Sequence, residues 1–195
     1  MKTFMLPRAL ISKEDVLCLA KWAHGRKELV EIGVFMGGSA CVLRHVMSAK
    51  GNLHLVDPFG PEGMPEPAMI GNLDTAKDNV ALVPRGKVHF YFDQSHNVAP
   101  KFDTQIDFLF IDGDHRRAAV QQDWEDWTPK LIPGGIAILH DTNKCASHIK
   151  GPNIIANGLK KNPDFKEMDS MGLCTVYKKV KKVEVPKVTA EPKLS

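Results

Sequence analysis

The 195-residue chain reads as an α/β protein: a three-layer sandwich on a mostly parallel, seven-stranded sheet that ends in an antiparallel C-terminal hairpin. Three observations predict this. Strand-like and helix-like apolar patterns alternate along most of the length. Two runs, "IDFLFID" and "IAILHD", are almost continuously apolar, as strands covered on both faces are. The last two strand candidates, near "FKEMDS" and "LCTVYKKV", are joined by a turn too short for a parallel crossover, so they pair antiparallel at the edge.

The elements follow in order. Ser12 and Asp15 have capping-box spacing, with Asp in place of the usual Glu. Val16, Leu17, Leu19, Ala20 and Ala23 then give an apolar face, which predicts a helix from Ser12 to His24. "ELVEIGVF" is the first strand. Val42, Leu43, Val46 and Met47 mark a helix over Ser39–Ser48, and "NLHLVDPF", ended by Pro58, is the second strand. "GPEGMPEP" is a loop leading into a polar helix that runs to Leu82. "KVHFYF" alternates as a third strand and "IDFLFID" is the fourth. Val120, Trp124, Trp127 and Leu131 recur at helical spacing after His115, which makes both tryptophans core residues. "IPGG" reads as a turn, "IAILHD" as the fifth strand, and Pro152–Lys161 as a helix before the closing hairpin.

Composition bounds the class. With 43% apolar and 25% charged residues the chain is globular, and residues 1–180 are expected to form a single domain that begins with a helical segment, 1–27. The net charge of +3 is carried by the end of the chain: Lys178–Ser195 holds six lysines and two glutamates, a surplus of +4 that leaves −1 for the rest. That composition reads as the end of an edge strand passing into a basic, disordered tail, 181–195; nucleic acid or an acidic surface could attract such a tail, but a solvated C-terminus is the favoured reading and nucleic acid is not the expected partner. No apolar run is long enough to span a bilayer and the N-terminus does not read as a secretory signal, so a soluble, cytoplasmic protein is expected. Cys18, Cys41, Cys145 and Cys174 are far apart among apolar neighbours and read as buried free thiols.

Open parallel sheets bind ligands beyond the carboxyl ends of their strands, near the point where strand order reverses. Here those ends carry Gly33 with "MGGS", Asp57, "DQSHN", "DGDH" and "HDTN". Gly33 lets the chain turn tightly off the first strand, and Gly37 and Gly38 let a ligand approach the start of the next helix. Asp57, 24 residues after Gly33, stands where a carboxylate accepts two ribose hydroxyls, so the pair points to a nucleoside-containing cofactor. G-x-G-x-x-G and G-K-[ST] are both missing, which argues against a pyrophosphate. Glu31, two residues before the first glycine, suits a cationic ligand. Asp112 and Asp141 close adjacent buried strands, and a divalent cation is one physical remedy for their repulsion.

Taken together, "VEIGVFMGGSA", "LHLVDPF", "FDQSHNVA" and "IDFLFIDGDHRRAAVQQDWEDWTPKLIPGGIAILHDT" resemble a Rossmann-like class I S-adenosylmethionine-dependent methyltransferase. More narrowly they resemble the methyltransferase-24 group, related to catechol and caffeoyl-CoA O-methyltransferases and to cephalosporin-hydroxylase-like proteins. The resemblance runs from Leu29 to Tyr177. It implies that the methionine part of the cofactor lies against Glu31, Gly33, Gly37 and Ser39, the ribose on Asp57, and the adenine beside Asp93 and Ser95. In the metal-dependent relatives, carboxylates at the positions of Asp112 and Asp141 hold Mg2+, with an Asn directly after the second Asp. That third position is Thr142 here, and Asn143 follows it. His115 stands where the catechol-type relatives carry a catalytic lysine. It reads as a base for the acceptor hydroxyl, or as a helix cap or the partner of a nearby carboxylate.

His140 is a competing base, a fourth ligand or a packing residue. Arg116 and Arg117 replace the aromatic residue usual after D-G-D-H, and they either select an anionic substrate or begin a solvated helix. The expected reaction is O-methylation of a small hydroxylated acceptor, a sugar or natural-product alcohol, at a site left open or completed by a second subunit in a homo-oligomer. The rival readings are a non-catalytic cofactor-binding accessory protein and a hydroxylase-like enzyme with iron or zinc on His140 and Asp141.

Overall fold

A computed structural model of the chain describes residues 11–59, 73–143 and 150–180. The "GPEGMPEP" segment, Cys145, His148 and the tail from 181 lie outside the described residues. Helix α1 (Lys13–Ala23) opens with the reciprocal cap between Ser12 and Asp15 that their spacing predicts. The chain continues through β1 (Glu28–Ile32), α2 (Gly38–Val46), β2 (Asn52–Val56), α3 (Leu73–Ala81), β3 (Lys87–Tyr91) and the short α4 (Ser95–Val98). It then forms β4 (Ile106–Ile111), α5 (Arg117–Trp127), β5 (Leu131–Leu139), α6 (Gly151–Leu159), β6 (Phe165–Met171) and β7 (Cys174–Lys179).

The strands form one seven-stranded sheet in the order β3-β2-β1-β4-β5-β7-β6. It is parallel from β3 to β5, and β7 runs antiparallel to both β5 and β6. Alternate residues of each inner strand face opposite layers. Leu29, Leu53, Phe108 and Phe110 pack on one side with Leu19 of α1, Leu43 of α2 and Val80 of α3. Val30, Leu109 and Ala137 pack on the other with Trp124 and Trp127 of α5 and Leu159 of α6. The tryptophans are core, as their spacing predicts. Cys18, Cys41 and Cys174 are buried free thiols.

Two expectations need correction. "IPGG" is part of β5: Ile106 pairs with Leu131 and Phe108 with Ile136, so partners two apart on β4 are five apart on β5 and the intervening residues bulge. Gly134, at φ +83°, provides the bend, and the ladder resumes after it. Proline and glycine signalled a break in extended geometry, which a bulge supplies as well as a turn does. The end of the hairpin is also not an edge. β7 lies inside the sheet, and Lys179 is buried, its ammonium donating to the carbonyls of Thr128 and Leu131 at 2.7 Å each.

Strand order reverses between β1 and β4. At that carboxyl edge a backbone hydrogen bond carries each ladder one residue past its strand. Asp57 N–H donates to Tyr91 O at 3.2 Å, Gly33 to Val56 at 3.0 Å, Asp112 to Ile32 at 2.8 Å and His140 to Ile111 at 3.0 Å. Asp57, Gly33, Asp112 and His140 therefore stand in one row at the switch point.

Candidate functional site

The glycine turn is built from beneath and beside. Asp57 holds it in place, with Oδ2 accepting from Val34 N–H at 2.7 Å and Phe35 N–H at 3.0 Å, and Oδ1 accepting from Phe59 N–H at 2.7 Å. Phe35 sits at φ +53°, a conformation that such bonds must hold. A Cβ on Gly33 would collide with the carbonyl of Asp112, and one on Gly37, at φ +80°, would crowd Val80 and Ala76 of α3. Both glycines thus satisfy packing within the protein, a constraint additional to the ligand approach read from the sequence. Gly38 and Ser39 open α2, whose preceding residue, Gly37, offers no side-chain cap.

Under this turn Glu31 is wholly buried at the end of β1. Its Oε1 accepts the Ser39 hydroxyl, and its Oε2 is buried with no hydrogen-bond partner. Burial pushes the Glu31 carboxyl well above the ordinary value of 4.5, and nearby Asp112 and Asp57 add to the effect. A dry carboxylate with an empty acceptor at a helix start suits a cation, such as an ammonium group.

Asp93 and Ser95 face different partners. Asp93 accepts from Gln94 N–H and Asn97 Nδ2, both at 2.8 Å, at the start of α4. Ser95 donates to Asp123 of α5, whose carboxyl burial pushes up to about 6. A cavity of about 540 Å³ beyond β3 is lined by Phe92, Asp93, Asn97 and Lys101 among others, and no member of the Asp112 group borders it.

The acidic row is where the fold brings most chemistry together. Asp112 Oδ1 and Asp141 Oδ2 are both faced by two imidazole nitrogens. His115 Nε2 lies 2.9 Å from Asp141 and 3.7 Å from Asp112. His140 Nδ1 lies 3.1 Å from Asp112 and 3.4 Å from Asp141. His115 does not cap α5; it lies in the turn before Arg116, where Gly151 at the start of α6 packs against its carbonyl. Asp112 and Asp141 push the His115 pKa up to about 9. Burial opposes charge on His140, but Asp112, Asp141 and Asp15 outweigh it and push this group up to about 12. Burial likewise opposes charge on Asp141, and the two histidines more than offset it, holding its carboxyl well below the usual range.

Asp15 is the residue that sequence reasoning placed only as a cap. It is fully buried, and beyond Ser12 it accepts Leu173 N–H from the hairpin turn at 2.8 Å and faces His140 Nε2 at 3.4 Å. No local sequence signal pairs α1 with the end of β5; the sheet order does. Thr142 and Asn143 turn towards the hairpin. The Thr142 hydroxyl donates to Leu173 O at 3.0 Å and lies 2.6 Å from the Thr175 hydroxyl, while Asn143 Nδ2 donates to Ser170 at 2.7 Å. Arg116 is exposed and paired with Asp114 at 2.6 Å, and Arg117 is exposed at the start of α5.

The methyltransferase-24 family profile, described as a methyltransferase domain, matches residues 30–142, from β1 through the acidic row. The chain belongs to this methyltransferase family. A curated relative, an uncharacterized protein of Sinorhizobium fredii, is 42% identical over 40 residues, which is 20% of this methyltransferase and 4% of that protein's length. Solved structures share the fold. The O-methyltransferase TomG of Streptomyces achromogenes, involved in tomaymycin synthesis and in complex with S-adenosylmethionine, superposes with a TM-score of 0.69 at 14% identity, covering 90% of this chain and 83% of that one. An O-methyltransferase of Bacillus cereus in complex with S-adenosylhomocysteine gives 0.61 at 17% identity over 90% and 84% of the two chains. An rRNA methylase of Streptococcus thermophilus gives 0.62 at 11% identity over 89% and 100%. Among the described residues of this methyltransferase, no helix is long and apolar enough to cross a membrane.

Proposed function

We propose that this methyltransferase moves the methyl group of S-adenosylmethionine to a hydroxyl oxygen of a small molecule, with a sugar or natural-product alcohol as the acceptor class. The observation that carries the reading is Glu31, a fully buried carboxylate with an unpartnered oxygen at the switch point. The α-ammonium of a methionine moiety would supply the missing donor and restore the carboxylate's charge. Asp57 has three backbone donors on four lone-pair sites, which leaves capacity for a ribose hydroxyl. Ser95 and Asp93 would flank the adenine. The cofactors bound to TomG and to the Bacillus cereus enzyme support S-adenosylmethionine as the methyl donor.

In the transfer, the acceptor oxygen attacks the sulfonium methyl in line. The S–CH3 bond breaks with its electron pair going to sulfur, and the acceptor's proton passes to the Asp112 carboxylate and from there to water. The protein's part is alignment of the two reactants. Asp112 and His115 flank the acceptor side. The Mg2+ that the resemblance implies does not fit the donor set. Magnesium takes oxygen ligands in octahedral geometry, whereas the two carboxylates here are faced by two imidazole nitrogens, and the Thr142 hydroxyl is engaged by the hairpin. No step is assigned to magnesium.

Calorimetric titration of the purified chain with S-adenosylmethionine tests the reading. Binding that Glu31→Gln and Asp57→Ala each weaken at least tenfold supports it; an unliganded wild-type chain at millimolar cofactor overturns it.

A further inference from the structure

A second cluster lies on the far side of His140 from the acidic row, where α1, the end of β5 and the start of β7 meet. Asp15, His140 and Cys174 each present one donor atom there, and the oxygen, nitrogen and sulfur all lie within 4.8 Å of one another. His140 Nε2 stands 3.4 Å from Asp15 Oδ2, and Cys174 Sγ stands 3.7 Å from Asp15 Oδ1. Asp15 and Cys174 have no exposed surface and His140 is 4% exposed. Even so, His140 Nε2 makes no hydrogen bond, and a buried nitrogen without a partner calls for an occupant of the space it faces. Ligands roughly 2.0–2.3 Å from a tetrahedral zinc ion stand about 3.3–3.5 Å apart, close to both spacings.

We propose that Asp15, His140 and Cys174 form a structural binding site for a transition-metal dication of the zinc class, separate from the Asp112 and Asp141 carboxylates. Thiolate sulfur and imidazole nitrogen are donors that zinc and cobalt take and magnesium does not. Asp15 has the capacity to ligate. Of about four lone-pair positions on its carboxylate, three accept from Ser12 N–H, the Ser12 hydroxyl and Leu173 N–H. The fourth faces the Cys174 thiol, whose proton is lost when the sulfur ligates. Gly172 in the hairpin turn leaves this carboxylate its space, since a Cβ there would collide with Asp15 Oδ1. The other nitrogen of His140, Nδ1, lies 3.1 Å from Asp112 Oδ1, where a carboxylate orients an imidazole that ligates through Nε2. In the metal-free chain the surrounding carboxylates hold a proton on His140, and the dication replaces that positive charge. The ion ties α1 and the hairpin to the end of β5, three elements that no local sequence signal joins.

The test uses the full chain stripped of metal and titrated with Co2+, followed by absorption, with Zn2+ and Mg2+ as competitors. One equivalent of Co2+ should give low-coordinate d–d bands together with a sulfur-to-cobalt charge-transfer band in the near ultraviolet, which Zn2+ abolishes and tenfold excess Mg2+ does not. Cys174→Ser should remove the charge-transfer band. His140→Ala and Asp15→Asn should each weaken Co2+ binding roughly tenfold or more, at least the cost of losing an outer partner of a metal ligand. His115→Ala, which alters the acidic row alone, should keep the full spectrum. Zn2+ should raise the unfolding midpoint of the wild type and leave that of Cys174→Ser where it was. Circular dichroism and urea unfolding of the same variants confirm that they are folded. Metal binding is read without cofactor or acceptor, so its failure is separate from failure of the methyl-transfer reading. A folded wild-type chain that takes up no Co2+ or Zn2+ would overturn the proposal, as would binding that lacks the charge-transfer band or survives Cys174→Ser unchanged.

Discussion

Gly33 lacks a side chain because the carbonyl of Asp112 occupies the space where its Cβ would be. The glycine turn after β1 and the acidic turn after β4 are thus pressed together at the switch point, and whatever displaces one displaces the other. Gly33→Ala meets both this collision and the strain of φ +85°. It should destabilise the fold by about 2–4 kcal/mol, measured by urea unfolding, and should weaken S-adenosylmethionine binding beyond that loss of folded protein.

Glu31→Gln keeps an acceptor for Ser39 and removes only the charge. Because burial raises the Glu31 pKa in the folded chain above its ordinary 4.5, the wild type loses stability relative to the variant as pH rises through and beyond that value. The variant should therefore be the more stable of the two at pH 7.5 and no more stable at pH 4, while its cofactor affinity falls at both. Unfolding curves at the two pH values, combined with calorimetry, check this. Equal affinity in the two proteins would remove Glu31 from the site.

Asp123 should show the same sign in a narrower window. Its folded pKa of about 6 lies above the ordinary 3.8, so the stability that the neutral form contributes is complete below 3.8 and is lost as pH rises through 6. Asp123→Asn, which can still accept from Ser95, should gain on the order of 2 kcal/mol over wild type at pH 7.5 and almost nothing at pH 4.

Asp15→Ala removes the helix cap, the acceptor for Leu173 and the carboxylate facing buried His140 in one step. A loss of about 3–5 kcal/mol is expected, larger than the ~1 kcal/mol of an ordinary cap. A loss near 1 kcal/mol in thermal or urea unfolding would show that Asp15 acts on α1 alone.

His115→Ala should leave S-adenosylmethionine affinity within twofold of wild type and lower turnover on an accepted alcohol by roughly 10²-fold or more. Held protonated up to about pH 9 in the chain by itself, His115 takes no proton from the acceptor at neutral pH and acts by orienting the Asp112 and Asp141 carboxylates that it faces. The wild-type rate should therefore not show the rise near pH 6.5 expected of a free imidazole base. Full turnover of the alanine variant would take His115 out of the reaction.

Much of this protein is legible along the chain. The cap at Ser12 and Asp15, the tryptophan spacing of α5 and the continuous apolar runs of β4 and β5 are local signals, because each depends on neighbours within a few residues. The residues at strand ends were also legible as a set, since parallel strands deliver their carboxyl ends to one edge whatever their order. The bulge in β5 and the burial of Lys179 were not. Both depend on which strand lies alongside, and a Pro-Gly-Gly run or a lysine near a basic tail looks the same with or without that neighbour.

The sequence alone thus determined the alternation of elements, the apolar layers and the set of polar residues at the switch-point edge. Their physical origin is the hydrophobic period of short segments. The tertiary structure decided what those polar residues do. It placed Asp57 under the turn, gave Gly33 its reason in the Asp112 carbonyl, and joined Asp15 to His140 across 125 residues of chain. Those contacts arise only once α1, β4, β5 and the hairpin share a core, because the energy of a buried charge depends on what surrounds it in space and not on its neighbours in sequence.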